Sequence, residues 1–250
     1  MRILILGGTT EASALAARLA GRPDFSPLLS MAGRTSDPRR APIPTRIGGF
    51  GGVAGLAGFL REEGIEAVID ATHPFAAVMS QNAAEACAQT RVPLLALRRP
   101  AWTRRDGDRW TNVTSMEAAA RALGDTPRRV FLTVGRLELA AFAAAPHHTY
   151  LVRSIEPIGD VLPVPNVMTI QDRAPFDEAA ERALMERERI DVVVTKNSGG
   201  AATYPKIAAA RSLGLPVIVV ARPDKPPGVE EVASAEAALD WLERLHGRSP

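Results

Sequence analysis

The chain has 250 residues, 46% of them hydrophobic and 23% charged, which excludes a disordered or fibrous protein and allows one large α/β domain or two smaller ones. A net charge of +2 gives no whole-chain electrostatic case for nucleic acid, and a single cysteine, Cys87, excludes an internal disulfide and suits a reducing compartment. No apolar run approaches the roughly twenty residues of a membrane span and nothing at the start reads as a secretory signal, so a cytoplasmic protein is expected.

Residues 3–6 form an all-apolar run of the kind a parallel strand needs when both faces are buried. Gly7 and Gly8 end it, and Thr9 or Thr10 can cap a helix carrying Ala12, Leu15, Ala16 and Leu19 at helical spacing. Strand, glycine turn and helix start aim backbone N–H groups and a helix dipole at a phosphate, so residues 7–11, Glu11 included, read as a dinucleotide pyrophosphate site. The stretch G-G-T-T-E-A is not the usual G-x-G-x-x-G, and a turn that binds nothing is the plain alternative.

A second strand over 27–32 ends in Gly33-Arg34-Thr35-Ser36, a Pro-rich loop runs to Pro44, and a short strand over 45–47 leads into Gly48-Gly49-Phe50-Gly51-Gly52 and a helix. Residues 67–70 read as a buried strand, followed by Ala71-Thr72-His73-Pro74-Phe75, a helix through 88 and a strand over 93–97. Cys87, among alanines on that helix, reads as a small buried residue.

The second half repeats the pattern, with strands expected at 130–134, 150–152, 167–170, 191–195 and 216–220, and a last amphipathic helix capped by Ser234. The segments 68–100 and 192–223 match in grammar, and residues 93–100 and 216–223 run at one identical offset. Strands alternating with helices give an α/β protein. Its fold class reads as two Rossmann-like domains with mainly parallel sheets and an active-site cleft between them. The expected division is an NADP-binding domain over 1–98, a linker over 99–112, and a second Rossmann-like α/β domain over 113–250 that contributes to the substrate site.

Ligands of open α/β sheets bind beyond the carboxyl ends of the strands, which selects the loops 7–11, 33–36, 48–52, 71–75 and 195–200. The first four give the candidate cofactor residues Gly7, Gly8, Thr9, Thr10, Glu11, Ser30, Gly33, Arg34, Thr35, Gly49, Phe50, Thr72, His73 and Phe75. After the second strand there is no carboxylate before Asp37, whereas Arg34 flanked by Ser30, Thr35 and Ser36 suits a 2′-phosphate, favouring NADP(H) over NAD. His73 can donate to a cofactor phosphate, relay a proton, or be satisfied by a neighbouring carbonyl. Lys196-Asn197-Ser198-Gly199-Gly200 is the most polar strand end of the second half. Its lysine can bind a substrate carboxylate or give a proton, although a phosphate loop or an ordinary turn also fits. No Cys cluster or His-x-x-x-His spacing marks a metal site.

The motifs I-L-G-G-T-T-E-A at 5–12, S-M-A-G-R-T at 30–35, G-G-F-G-G at 48–52 and D-A-T-H-P-F-A at 70–76 together resemble the precorrin-6A reductase family. R-P-A-W at 99–102, F-L-T-V-G-R at 131–136 and V-T-K-N-S-G-G at 194–200 extend the resemblance over nearly the whole chain. It implies a cytoplasmic oxidoreductase of porphyrin metabolism that uses NADPH to reduce the tetrapyrrole precorrin-6A to precorrin-6B in cobalamin biosynthesis. The cobalt-precorrin-6A reductases of the anaerobic route look similar, and a non-catalytic NADP-binding redox sensor is a further alternative. For a polycarboxylate substrate, Arg98, Arg136, Lys196, Asn197, Ser198, Gly199 and Gly200 are the candidate contacts, with Lys196 and His73 the candidate catalytic residues. Neither nucleic acid nor membrane is an expected partner, and a transient handover to neighbouring pathway enzymes is left open. A short-chain sugar-nucleotide enzyme fails, because Tyr150 and Tyr204 are followed four residues on by Ser154 and Ala208 rather than lysine.

Overall fold

The computed structural model describes residues 1–33 and 40–247. The chain divides into two compact units, Met1–Pro100 with Pro223–Pro250, and Ala101–Arg222.

In the first unit β1 (Arg2–Leu6), β2 (Ser26–Met31), β3 (Thr45–Ile47), β4 (Ala67–Asp70), β5 (Leu94–Leu97) and β12 (Glu230–Val232) form one sheet in the order β12-β5-β4-β1-β2-β3. Every pairing in it is parallel. Alternation along β1 explains its central place. Ile3 and Ile5 pack with α1 (Thr10–Leu19) and α7 (Ala235–His246), while Leu4 and Leu6 pack with α2 (Gly52–Glu62) and α3 (Ala77–Thr90). With both faces covered, the strand must be apolar throughout, and residues 3–6 are at most 2% exposed.

The second unit repeats the plan with β6 (Arg109–Val113), β7 (Arg129–Thr133), β8 (Thr149–Ser154), β9 (Val167–Gln171), β10 (Val192–Lys196) and β11 (Pro216–Val220), ordered β6-β11-β10-β7-β8-β9. These pairings are parallel as well. Phe131, Leu151, Val193, Val217 and Val219 pack beneath α5 (Glu178–Arg187) and α6 (Pro205–Ser212) through Met185, Ile207, Ala209 and Ala210. On the other face lie α4 (Met116–Ala122) and, after Gly135, a 3-10 helix over Arg136–Ala144.

Counted from β1 and from β7, both sheets run 3-2-1-4-5-6, the doubly wound order of dinucleotide folds. The matching segments 68–100 and 192–223 hold strands four and five of the two sheets. The sixth strands depart from chain order. β6 follows β5 directly yet joins the second sheet beside β11, and β12 returns from beyond β11 to join the first beside β5.

Two expected boundaries are corrected by that exchange. Residues 109–112, expected in a linker, belong to a strand of the second unit, and residues 223–250, expected in the second domain, belong with the first. The physical reason is pairing: the β5 edge binds Glu230–Val232, and α7 packs its Ala235, Ala238 and Leu242 into the core containing α1.

Candidate active site

The first unit gathers its loops at the carboxyl ends of β1 to β4. Gly7 follows β1 and donates its N–H to Ser30 O at 2.9 Å, and a Cβ placed on it would meet Leu29 Cδ1 at 2.6 Å. A side chain there would have to displace the buried Leu29 side chain of β2. Gly8 has φ +113, and a Cβ on it would meet nothing within 4 Å, so its backbone borders open space. Thr9 is the cap of α1: its Oγ1 accepts from Ala12 N at 3.1 Å and donates to Ala71 O at 2.8 Å, tying the helix start to the end of β4. Thr10 and Glu11 form the first turn. The Glu11 carboxylate accepts from Arg99 Nη1 at 2.5 Å, so its charge is already paired.

Ser30 is the penultimate residue of β2, and its Oγ accepts from Arg46 Nη1 at 2.7 Å. The same guanidinium donates to Gly48 O and to Gly49 O, each at 3.1 Å, and lies 4.0 Å over the Phe50 ring. Arg46 thereby pins the Gly48–Gly52 loop to β2, a role the sequence pattern did not single out. Gly51 precedes α2 with φ 82, leaving the helix start without a side-chain cap. A Cβ at Gly48, Gly49, Gly51 or Gly52 likewise meets nothing within 4 Å. Gly33 lies at the end of the described segment, and Arg34 and Thr35 lie outside the described residues.

Beyond β4, Asp70 Oδ1 accepts from Thr72 Oγ1 at 2.6 Å and from Thr72 N at 3.1 Å, which folds the next residues back. His73 Nδ1 accepts from Phe75 N at 3.3 Å, which leaves Nε2 to carry the proton of the neutral ring. Cys87, on α3, is buried, and burial followed by the charge of Asp70 pushes its thiol up to about 12, far from the range of a nucleophile.

Arg98, a candidate substrate contact, is engaged within the first unit. Its guanidinium is buried, donating to Asp70 Oδ2 at 3.1 Å and to Glu231 Oε2 at 2.9 Å. It joins β4, β5 and β12, whereas the other substrate candidates belong to the second unit.

In that unit, Lys196 ends β10 and pairs with Glu138 Oε1 at 2.8 Å, a partner from the 3-10 helix after β7. Asn197 is tied into the fold by its amide. Its Oδ1 accepts from Trp102 N at 2.7 Å and its Nδ2 donates to Trp102 O at 3.0 Å, so the amide holds the backbone of the chain entering this unit. Arg222 donates to Asn197 O and Ser198 O, Ser198 Oγ lies 3.3 Å from Thr203 Oγ1, and Gly200 precedes a short 3-10 helix over Ala201–Thr203. The loop is thus fixed from three sides. Arg136 donates from Nε to Ile158 O at 3.2 Å, and its residue is exposed.

Among the described residues no group of three or more His, Cys, Asp and Glu could hold a metal ion, and no helix is long and apolar enough to cross a membrane. What the arrangement offers is an open glycine turn into a helix start in the first unit and a loop edge carrying Lys196 in the second.

A family model described as precorrin-6x reductase CbiJ/CobK matches residues 2–243. The chain belongs to that family. This reductase is 54% identical over 245 residues to a precorrin-6A reductase of a Sinorhizobium species, covering 96% of this chain and 94% of the relative. It is 51% identical to the precorrin-6A reductase of Rhodobacter capsulatus, covering 100% of this chain and 98% of that one. A solved structure of a CobK precorrin-6A reductase superposes with a TM-score of 0.93 at 50% identity, over 100% of this chain and 98% of the other. The reductase is therefore an oxidoreductase with the two-sheet Rossmann-like fold of its family.

Proposed function

We propose that the chain catalyses the NADPH-dependent reduction of precorrin-6A to precorrin-6B in cobalamin biosynthesis. The observation that carries this reading is the turn from β1 into α1, where the open backbone of Gly8 precedes a helix start within a 3-2-1-4-5-6 sheet. NADPH, when bound, supplies a hydride to the macrocycle, which takes up one proton besides.

The chain's own residues then have the following work. Gly8, Thr9 and Thr10 present backbone N–H groups to the pyrophosphate beside Gly7, whose own N–H is held by Ser30 O, while Arg99 neutralises Glu11 so that no unpaired carboxylate faces it. Ser30, Gly33, Arg34 and Thr35 take the ribose and its 2′-phosphate. Gly49, Phe50, Thr72, His73 and Phe75 border the rest of the cofactor. Arg136 and the loop Lys196–Gly200 meet the substrate, and Lys196 either binds a peripheral carboxylate or delivers the proton. A metal-free substrate is supported by identities of 54% and 51% to precorrin-6A reductases against 30% to the cobalt-precorrin-6A reductase of Priestia megaterium. The single cysteine and a biosynthetic role support a cytoplasmic location.

NADPH absorbance decides the reading, with purified protein and precorrin-6A, and with NADH and a cobalt-loaded macrocycle as comparisons. Loss of absorbance with NADPH and precorrin-6A is expected. Tight NADPH binding without oxidation by either macrocycle would replace the enzyme by a redox sensor.

Two substitutions separate the roles. Arg34→Ala is expected to weaken NADPH about 10- to 100-fold while NADH binding changes less than about twofold, because a charge-assisted phosphate contact is lost. Equal losses for both cofactors would remove Arg34 from the phosphate site. Lys196→Ala is expected to lower kcat/KM for precorrin-6A about 100-fold with NADPH affinity unchanged. A collapse of NADPH affinity instead would assign the 195–200 loop to the cofactor.

A further inference from the structure

We propose that Leu137 and Ile155 form an apolar seat for one face of the tetrapyrrole, with Arg136 and Lys196 at its margin to meet peripheral carboxylates. This inference rests on the proposed function and adds the surface that reads the body of the substrate.

Leu137 is 73% exposed and Ile155 is 47% exposed, in a unit whose other large apolar side chains are mostly buried. Scattered exposed apolar residues are ordinary, so exposure by itself says nothing. Position makes this pair informative. β7 and β8 are parallel neighbours with Leu132 opposite Val152, and extending that register sets residue 135 opposite residue 155. Both segments therefore leave the sheet side by side at its carboxyl end, where ligands of such folds bind. Arg136 ties them together, donating to Ile158 O at 3.2 Å, and its Nη2 lies 3.6 Å from where a Cβ on Gly159 would be.

On the other side of β7 lies β10, whose Lys196 is paired with Glu138, the residue next to Leu137. The edge thus reads Ile155, then Arg136 and Leu137, then Glu138 and Lys196. A small polar ligand has no use for two presented aliphatic side chains. A macrocycle with an apolar face and an anionic rim needs such a surface bordered by cations. Buried against a ring, each side chain leaves water that it now meets.

The test uses full-length Leu137→Ser, Ile155→Ser and the double variant, with thermal melting to confirm folding, which two exposed positions should leave intact. Three quantities are read: precorrin-6A affinity by fluorescence titration without NADPH, KM and kcat with NADPH, and oligomeric state by light scattering. The double variant is expected to weaken the titrated affinity and raise KM by about tenfold or more, with NADPH affinity within about twofold of wild type. Leu137→Met should return both to within about twofold. Unchanged macrocycle affinity in the double variant overturns the seat. So does a changed oligomeric state with unchanged affinity, which would make the pair a contact with a second copy. Wild-type binding without turnover refutes the proposed reaction but leaves the seat to be judged by the titration, whereas no wild-type binding overturns both.

Discussion

Glu181→Ala is expected to cost about 3–5 kcal/mol of stability, the loss typical of a buried ion pair deprived of one partner. Glu181 and Arg153 are 3% and 6% exposed, and the guanidinium makes two bonds to the carboxylate, Nη2 to Oε2 at 3.0 Å and Nη1 to Oε1. Phe176 stacks on Arg153 at 3.6 Å. Lys206 shares the cluster, donating to Thr203 O at 3.1 Å and lying 5.3 Å from the centre of the Trp102 ring.

Burial, then the charge of Arg153, lowers the Lys206 ammonium to about 7, and Glu181 opposes that shift. Without Glu181, Lys206 can shed its proton, but Arg153 cannot, so a buried unpaired charge persists. Urea unfolding should show the loss, and Glu181→Leu combined with Arg153→Met should recover most of it. An unchanged single variant would mean that water reaches the pair.

The same cluster fixes a pH dependence. Lys206 titrates lower in the folded chain than in the unfolded one, so between about 7 and 10.5 the unfolded chain binds more protons. The contribution of Lys206 to stability therefore rises with pH across that window. Lys206→Met should flatten the slope there.

Gly55→Ala is expected to weaken NADPH binding by at least about tenfold. Gly55 lies on α2, and a Cβ there would sit 1.7 Å from Phe50 O and 2.8 Å from Phe50 C. Backbone cannot swing aside as a flexible side chain does, so the Gly48–Gly52 loop must move and take Phe50 off Arg46. Overpacking of this kind costs about 1–3 kcal/mol, and NADPH affinity should fall at least about tenfold. Gly58→Ala, one turn on in the same helix, is the internal control. Its Cβ would meet only Glu62 Oε1 at 3.9 Å, so it should stabilise the helix by about 0.5–1 kcal/mol and leave NADPH binding alone. Wild-type NADPH affinity in Gly55→Ala would remove the 48–52 loop from the cofactor site.

What could be read in the sequence was what neighbouring residues decide. The buried run of residues 3–6, the glycine pair and the Thr9 cap form one local unit, and the structure has them as expected. The likeness of 68–100 to 192–223 was legible for the same reason, since each spans a strand, a helix and the next strand. The sixth strands were not. β6 reads R-W-T-N-V and β12 reads E-E-V, edge strands whose polar residues face water, and nothing within three to five residues says which sheet will take them.

Site partners remote in sequence were equally hidden. Arg46 owes its role to Ser30 and Phe50, and Glu138 meets Lys196 from 58 residues away. Arg98 and Asn197 are expected as substrate contacts because ligands of such sheets bind at strand ends. Only the positions of Glu231 and of the Trp102 backbone show that both are engaged within the fold.

The exchange of sixth strands has a consequence for the order in which the protein can be made. A ribosome delivers β1 to β5, then all of the second unit, and only afterwards the strand and helix that complete the first sheet. The second unit has every strand of its sheet once β11 has emerged, so it can reach its final form while the earlier-made unit still waits with β5 bare. Synthesis at about 5–20 residues per second makes that wait a matter of seconds, during which an apolar strand edge is open to wrong partners. The charged Glu230 and Glu231 of the strand that finally covers it make the late closure soluble until it docks.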